Sequence, residues 1–191
     1  EITTEQMYSI VSFIKSTVTS LRSQMKHLDS SMKYNRLKID VFSIYDLLEN
    51  EEGRYYKEKL KNSRIDLVID NKNDFVIKAN KGKIIQVFDN LMNNSIYWLQ
   101  SKDGEKRIII TIDKPWVYFE DNGHGIDKFV ENTLFSPFVT CKPEGQGRGL
   151  GLFIVQQLLD DSNCDIVLDK ERNNEGHRFK FSINLYGLIV K

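Results

Sequence analysis

Cysteine, proline and long apolar runs are scarce in this 191-residue chain. Its two cysteines, Cys141 and Cys164, have neither the spacing of a zinc site nor the number that a disulfide framework needs, so we expect two reduced thiols. No apolar run approaches the roughly 20 residues that span a bilayer, and no signal peptide is visible. We therefore expect a cytoplasmic protein, or the cytoplasmic part of a larger or membrane-bound one, with no membrane contact in this stretch.

An excess of charge of either sign is also missing. The 27 basic and 27 acidic side chains give a formal net charge of zero. Proteins that grip nucleic acid usually carry a basic excess, so we expect no nucleic-acid partner. Hydrophobic residues make up 40% of the sequence, enough for the core of one domain with an appendage. Because the chain starts at Glu1 and not at a methionine, we expect a piece of a longer protein.

A heptad pattern near the N-terminus predicts the appendage. Apolar residues recur alternately four and three apart at Met7, Val11, Ile14, Val18, Leu21, Met25, Leu28 and Met32. Neither glycine nor proline interrupts this region, so we predict a long helix over 1–38, followed by one domain over 39–191. Two interpretations remain open for the apolar seam. It packs on its own domain, or it forms a coiled coil or four-helix bundle that makes a homodimer.

The rest of the chain alternates between strand and helix patterns. Strands are predicted over 64–70 and 74–79 (a hairpin across 71–73), 107–113 and 116–120, and 164–168 and 179–185. Helices are predicted through 55–60, over 81–99 with Asn80 as N-cap, and over 150–159. The chain is predicted to change direction over 39–42, and a second apolar face is predicted to begin over 41–48. The fold class is therefore α+β, a two-layer α/β sandwich with helices on one face of a sheet.

The first of three stretches that could carry chemistry is QVFDNLMNNSIYWL, at 86–99. Asn90 and Asn94 lie four apart on a predicted helix, so their side chains share a face. A neutral amide oxygen suits Mg²⁺, which takes few protein ligands and fills its shell with phosphate oxygens and water. An isolated pair of this kind is more often two ordinary polar residues on a helix surface.

The second stretch is EDNGHGI, at 120–126, directly after a predicted strand. At a strand end, Asp121 can accept a hydrogen bond from the exocyclic amine of adenine. Guanine presents an acceptor at that place and would be rejected. Gly123 and Gly125 permit close backbone approach and positive φ. The alternative is a glycine-rich turn in which Asp121 caps backbone N–H groups.

The third stretch is LFSPFVTCKPEGQGRGLGL, at 134–152. It contains four glycines, at Gly145, Gly147, Gly149 and Gly151. They are too dense for a helix interior, yet a helix follows, and the N–H groups and dipole of a helix N-terminus suit phosphate. Lys142 and Arg148 add positive charge, and Phe135 and Phe138 are predicted to anchor the segment as a flap. The alternative is a mobile surface loop.

The sequence lacks the G-x-x-x-x-G-K-S/T phosphate loop, a G-x-G-x-x-G after its first strand and the kinase H-R-D loop. The stretches QVFDNLMNNS, EDNGHGI, LFSPF and GRGLGL, in this order, resemble the asparagine, first glycine, phenylalanine and second glycine boxes of another ATP-binding domain. That domain is shared by bacterial histidine kinases, DNA gyrase, Hsp90 and MutL, and the resemblance, over roughly 64–185, is closest to histidine kinases. It implies a Bergerat-type fold that binds ATP and Mg²⁺.

The resemblance also implies roles for single residues. Asn94 would be the Mg²⁺ ligand with Asn90 assisting, and Asp121 would hold the adenine amine beside Trp98. The other nucleotide contacts would come from Gly123, Gly125 and Ile126 around adenine, and from Thr140, Gly145, Gly147, Gly149 and Leu150 in a lid over the phosphates, at 140–149. Lys142 and Arg148 would complete the catalytic set with Asn90 and Asn94.

Two positions depart from the family pattern. Ser95 stands where an alanine is common, and Tyr97 stands where a lysine that approaches the phosphates is common. Lys142 or Arg148 is expected to supply the missing charge. Hydrolytic members carry a glutamate where Asn90 stands. The absence of that glutamate here favours phosphotransfer over hydrolysis.

The resemblance implies the catalytic domain of a sensor histidine kinase, an enzyme that transfers the γ-phosphoryl group of ATP to a histidine, with a response-regulator receiver domain as partner. A conformational ATPase or nucleotide switch in a larger protein is the alternative, and a non-catalytic dimerisation module is a third. His27 is expected to be a surface residue, and neither His124 nor His177 suits the phosphoacceptor. The acceptor helix is therefore expected outside this sequence, or absent.

Overall fold

The structure, a computed structural model, describes residues 38–143 and 145–190, apart from the Glu51 side chain. Strands β1 (Asp40–Ser43) and β3 (Val76–Ala79) pair as a small antiparallel sheet. The main sheet contains β2 (Ile65–Asn73), β4 (Lys106–Asp113), β5 (Trp116–Asp121), β6 (Asp165–Leu168) and β7 (Lys180–Asn184), in the order β2–β4–β5–β7–β6. Only the pair β2 and β4 is parallel within this sheet. The predicted heptad helix and His27 lie outside the described residues.

Three α-helices are described: α1 (Gly53–Lys61), α2 (Lys81–Gln100) and α3 (Gly151–Asp160), with a π-helical turn at Asp46–Glu51 and a 3₁₀ turn at Tyr186–Leu188. The side chain of Asn80 accepts a hydrogen bond from Lys83 N at 3.0 Å, so the predicted N-cap of α2 is confirmed. The buried face of α2 repeats every three or four residues, at Ile84, Val87, Phe88, Leu91, Met92, Ser95 and Leu99. None of the helices within the described ranges combines the length and apolarity that crossing a membrane requires.

The helices cover one face of the main sheet. Ile108, Ile110 and Phe119 are buried, whereas Ile109 and Tyr118, their neighbours along the strands, stay partly exposed on the opposite face. This alternation places one apolar core between a helix layer and a sheet layer. The two-layer sandwich predicted from the sequence is thus confirmed. The strands predicted over 107–113 and 116–120 are present as the antiparallel pair β4–β5, and those over 164–168 and 179–185 as the antiparallel pair β6–β7.

The predicted hairpin between 64–70 and 74–79 is wrong. β2 pairs with β4, with Ile69 opposite Ile110, and β3 pairs with β1. Parallel neighbours need a long crossover, and the segment that contains α2 supplies it. The predicted change of direction over 39–42 is wrong, since Asp40–Ser43 form β1: Phe42 is buried while Val41 is exposed, which is the period of a strand.

Candidate functional site

The two asparagines of α2 lie against the first residue of α3. A Cβ added to Gly151 would be 3.2 Å from Asn90 Oδ1 and 3.7 Å from Asn94 Nδ2. Asn90 Nδ2 donates to Gln86 O at 2.8 Å, which leaves its Oδ1 turned toward α3. Both amides therefore border the same recess as a helix N-terminus, where N–H groups and the helix dipole favour an anion.

Asp121 ends β5 with both of its carboxylate oxygens engaged. Ser95 Oγ donates to Oδ2, and Gly123 N donates to Oδ1 at 2.9 Å. Burial raises the pKa of the Asp121 carboxyl group, while the hydrogen bonds from Ser95 and Gly123 oppose that rise. The Asp121 carboxylate is thus held in one orientation. Because Ser95 directly follows Asn94 on α2, this carboxylate lies beside the amide pair.

The glycine-rich turn after β5 is closely packed. A Cβ at Gly123 would be 2.8 Å from Asp121 Oδ1, so a larger residue would push into the carboxylate. Gly125 has a φ of +82°, which favours glycine. Ile126 N donates to Arg178 O at 2.7 Å, and the Trp98 and His124 rings meet edge to face with centroids 5.0 Å apart. These contacts fix the turn next to Asp121.

Lys142 reaches from the glycine-rich loop onto α2. Its Nζ donates to Asn94 Oδ1 at 3.2 Å and lies 4.3 Å from the centroid of the Tyr97 ring. Burial lowers the pKa of the Lys142 ammonium group. Tyr97 also donates through its hydroxyl to Gln146 Oε1 at 2.8 Å. In this arrangement a cation already touches the amide oxygen that the sequence assigns to Mg²⁺.

The loop containing Lys142 closes at Gly149. Phe138 N donates to Gly149 O at 2.7 Å, and both residues have positive φ, at +68° and +64°. A Cβ at Gly149 would lie 2.7 Å from Phe138 Cα, so no side chain fits there. The two phenylalanines expected as anchors differ. Phe135 packs edge to face on Phe181, whereas Phe138 is 56% exposed and anchors the loop through its backbone.

We predict that Gly149→Ala displaces the loop and weakens ATP binding by about tenfold or more, because its Cβ would overlap the Phe138 backbone in addition to the cost of about 1–3 kcal/mol that a positive φ imposes on alanine. Gly145→Ala is the matched control, because Gly145 also has positive φ, +81°, but its added Cβ would meet nothing within 4 Å. Isothermal calorimetry with Mg-ATP measures both. Equal effects of the two substitutions would show that the contact with Phe138 is irrelevant.

The structure brings most of the predicted site residues together. Asn90, Asn94, Asp121 and Lys142 border one region through Ser95 and Gly151, as described above. Thr140 and Gly147 shape the loop, since Lys142 N donates to Thr140 Oγ1 at 3.1 Å and a Cβ at Gly147 would be 2.7 Å from that oxygen. Leu150 directly precedes α3. Arg148 and Gly145 are exposed on the loop, and nothing in the geometry assigns them a contact with the asparagines.

Three residues make contacts at the site that the sequence did not predict. Two of them were noted only as departures from the family pattern, and the third was missed. Ser95 orients Asp121, and Tyr97 holds the loop that carries Lys142. Asn173 contacts His124 O through its Nδ2 at 3.1 Å from the distant β6–β7 connection. Ser95 and Tyr97 are signalled only by their positions beside Asn94, and no sequence pattern marks Asn173.

A two-layer sandwich with an amide pair, an oriented carboxylate and a glycine-rich loop meeting at a helix N-terminus is the architecture of the histidine-kinase class of ATP-binding domains. The family model described as "Histidine kinase-, DNA gyrase B-, and HSP90-like ATPase" matches residues 79–187, and the chain belongs to this family.

Similar proteins are sensor kinases. Sensor protein ChvG of Rhizobium meliloti is 27% identical over 179 residues, covering 84% of this chain and 30% of its own. Sensor protein ChvG of Agrobacterium fabrum is 31% identical over 147 residues, covering 69% and 24%. The solved catalytic domain of histidine kinase ThkA superposes with a TM-score of 0.60 at 27% identity, covering 78% of this chain and 96% of that one. The chain thus spans less than a third of those two sensor proteins.

Proposed function

We propose that the domain over 39–191 binds Mg-ATP and donates its γ-phosphoryl group to a histidine, as the catalytic domain of a sensor histidine kinase. The observation that carries the proposal is the meeting of Asn90 and Asn94 with the N-terminus of α3, beside the carboxylate of Asp121. An ATP site needs N–H groups and cations at the end that holds the triphosphate, and a hydrogen-bond acceptor at the end that holds adenine.

The adenine end of the site would be formed after β5. Asp121 would accept from the exocyclic amine, in an orientation set by Ser95 and Gly123. Gly123, Gly125 and Ile126 would shape the pocket, with Trp98 on the α2 side. An acceptor fixed in place discriminates against guanine more strongly than a mobile one, because the wrong base leaves a buried group without a partner.

The phosphate end would lie between α2 and the loop over 140–149. Backbone N–H groups of Gly145, Gly147, Gly149 and Leu150 would contact the phosphates as a lid, with Thr140 at its base. Lys142 and Arg148 would neutralise charge that develops during transfer. This role for Lys142 is supported by the position of its ammonium group, which lies over Tyr97 and next to Asn94.

Mg²⁺ fits the donors that are present. Within the described residues, no group of three or more His, Cys, Asp and Glu side chains could hold a metal ion alone. Asn94, assisted by Asn90, would offer one neutral oxygen, and the phosphates and water would supply the rest, as Mg²⁺ prefers. When bound, the ion would neutralise and orient the phosphates.

Phosphotransfer is favoured over hydrolysis because neither Asn90 nor its neighbour Asp89 is suited to act as a base. An amide such as that of Asn90 has no proton-accepting role at neutral pH. The neighbouring carboxylate of Asp89 accepts a hydrogen bond from Tyr56 Oη at 3.1 Å, on the α1 side of α2. It is therefore directed away from the recess and does not take the place of the missing glutamate.

A nucleotide switch without histidine phosphotransfer is the second candidate. It is favoured by the contact between Lys142 and Asn94, because a Mg²⁺ ion at Asn94 would displace Lys142 and rearrange the loop. In either case we propose a second copy of the chain as partner, joined through the helix that the sequence predicts over 1–38. For a kinase we also propose a response-regulator receiver domain. Light scattering tests the dimer.

Incubation of the full-length protein with γ-labelled ATP and Mg²⁺ separates the two candidates. We expect label on protein that is labile to acid and stable to base, as a phosphohistidine is. Release of labelled phosphate without labelled protein would instead support the switch. Failure of the chain to bind Mg-ATP in calorimetry would exclude both.

A further inference from the structure

The connection between β6 and β7 is folded around one side chain, that of Asn173. Its Oδ1 accepts from Glu175 N at 3.0 Å and from His177 N at 2.9 Å. Its backbone N–H donates to His177 O at 2.8 Å. The amide oxygen therefore shapes the connection itself, while the amide nitrogen remains available for another segment.

That nitrogen is used on the glycine-rich turn. Asn173 Nδ2 donates to His124 O at 3.1 Å, and His177 Nδ1 lies 2.9 Å from the same oxygen. Ile126 N completes the contact by donating to Arg178 O. A Cβ at Gly125 would lie 2.8 Å from His177 Cβ and 2.9 Å from Arg178 O, so the two segments approach as closely as a glycine allows.

Charged side chains join the same two segments a few residues away. Arg172 Nη1 donates to Glu131 Oε1 at 2.8 Å and to Gly176 O at 2.8 Å. Arg178 Nε forms an ion pair with Glu131 Oε2 at 3.2 Å, without hydrogen-bond geometry. The Arg172 hydrogen bond and the nearby positive charges hold the pKa of the Glu131 carboxyl below its usual range.

Asn173 also lies close to the end of β5, near Asp121. A cavity of about 240 Å³ is lined by Asp121, Gly123 and Asn173, and also by Ile109 and Glu120, which lie on the sheet face opposite the helices. This cavity is therefore distinct from the recess beside Asn90 and Asn94, and the link from Asn173 to Asp121 runs through the turn that carries Gly123. A shift of the turn at His124 and Gly125 would move Gly123, whose N–H orients the Asp121 carboxylate.

We infer that Asn173 is a positioning residue for nucleotide binding, which clamps the turn over 123–126 and thereby fixes Asp121. This inference rests on the proposed function. An amide side chain suits the role, because the position needs an acceptor for two backbone N–H groups and a donor for a carbonyl oxygen at once.

Asn173→Asp isolates the clamp. The carboxylate keeps the acceptor for Glu175 N and His177 N, so the connection still folds, but it has no N–H for His124 O and sets a negative charge against that carbonyl. Asn174→Asp is the matched control, since it adds the same charge at the exposed neighbouring residue. Both variants, in the full chain, are compared with the wild type for hydrogen exchange over 123–131 without nucleotide and for Mg-ATP affinity by calorimetry.

We expect faster exchange at 123–131 and affinity about tenfold weaker in Asn173→Asp, because the lost hydrogen bond to His124 O and the repulsion between the new carboxylate and that carbonyl together amount to about 1.4 kcal/mol, and we expect neither change in Asn174→Asp. Unchanged exchange in Asn173→Asp overturns the clamp, whether or not the wild type binds ATP. Faster exchange with wild-type affinity overturns the positioning role. If the wild type binds no ATP, both the proposed function and the positioning role are wrong. The hydrogen-exchange comparison would still test whether Asn173 clamps the turn.

Discussion

Asp121→Asn is expected to lower ATP affinity by about 100-fold or more, below detection in calorimetry, without unfolding the domain. Ser95 Oγ and Gly123 N direct their hydrogens at the two carboxylate oxygens. An asparagine keeps the bond from Gly123 through its single oxygen and turns its NH₂ group toward Ser95, so the adenine amine meets a donor. Loss of a charged hydrogen bond, at about 1.5–3 kcal/mol, together with an unpaired donor at about 1–3 kcal/mol, accounts for the factor.

Folding stability is expected to change in the opposite direction. Burial raises the pKa of Asp121 in the folded state above its unfolded value. The negative charge therefore destabilises the folded protein at neutral pH, and this destabilisation is relieved as pH falls through the folded-state pKa. Because asparagine carries no charge, we expect Asp121→Asn to unfold in urea at an equal or higher midpoint than the wild type at neutral pH, with the difference shrinking in acid.

Glu120→Gln is the control for this experiment. It makes the same change of charge one residue away, on the opposite face of β5, where Glu120 pairs with Lys180 at 3.6 Å. Its ATP affinity should match that of the wild type. Undiminished ATP affinity in Asp121→Asn would remove the adenine assignment, and a lower urea midpoint would mean that the carboxylate serves the fold instead of the ligand.

The parts of the site that the sequence predicted are those coded over short distances. Asn80 begins α2, and Asn90 and Asn94 share a face because four residues make about one helical turn. Asp121 follows a strand with clear alternation, and the glycines of 145–151 stop where α3 begins. Each of these relations lies within one element or across one turn, so side-chain chemistry and period are enough to infer it.

The relations that sequence reasoning missed connect distant parts of the chain. The choice between a β2–β3 hairpin and a β2–β4 parallel pair depends on which strands share the core under α2, and local alternation is the same in both cases. The bond from Asn173 to His124 crosses 49 residues, and the bond from Ser95 to Asp121 crosses 26. A serine or asparagine pointing at a distant carbonyl or carboxylate has no local pattern of its own.

The second large effect is expected from Asn94→Ala, which should remove the Mg²⁺ dependence of ATP binding. In the structure the Asn94 amide oxygen already faces a cation, the Lys142 ammonium group at 3.2 Å. That orientation suits a hard metal ion, which would take the place of Lys142 when Mg-ATP binds. We expect Mg²⁺ to strengthen ATP binding by about tenfold or more in the wild type, as loss of about 1.5–3 kcal/mol from one charged contact would imply, and to have almost no effect in Asn94→Ala.

Two further variants decide what such a result means. Asn93→Ala removes an exposed asparagine of the same helix, which accepts from Lys59 Nζ at 2.7 Å, and should leave the Mg²⁺ dependence intact. Lys142→Met removes a positive charge from the proposed phosphate end of the site, so it should weaken ATP binding at every Mg²⁺ concentration while the dependence on Mg²⁺ persists. Calorimetric titrations with ATP in EDTA and in rising Mg²⁺ measure all three. An unchanged Mg²⁺ dependence in Asn94→Ala would place the metal elsewhere. If the Mg²⁺ dependence were lost in Lys142→Met, the role of Asn94 would be to hold the lysine and not the ion.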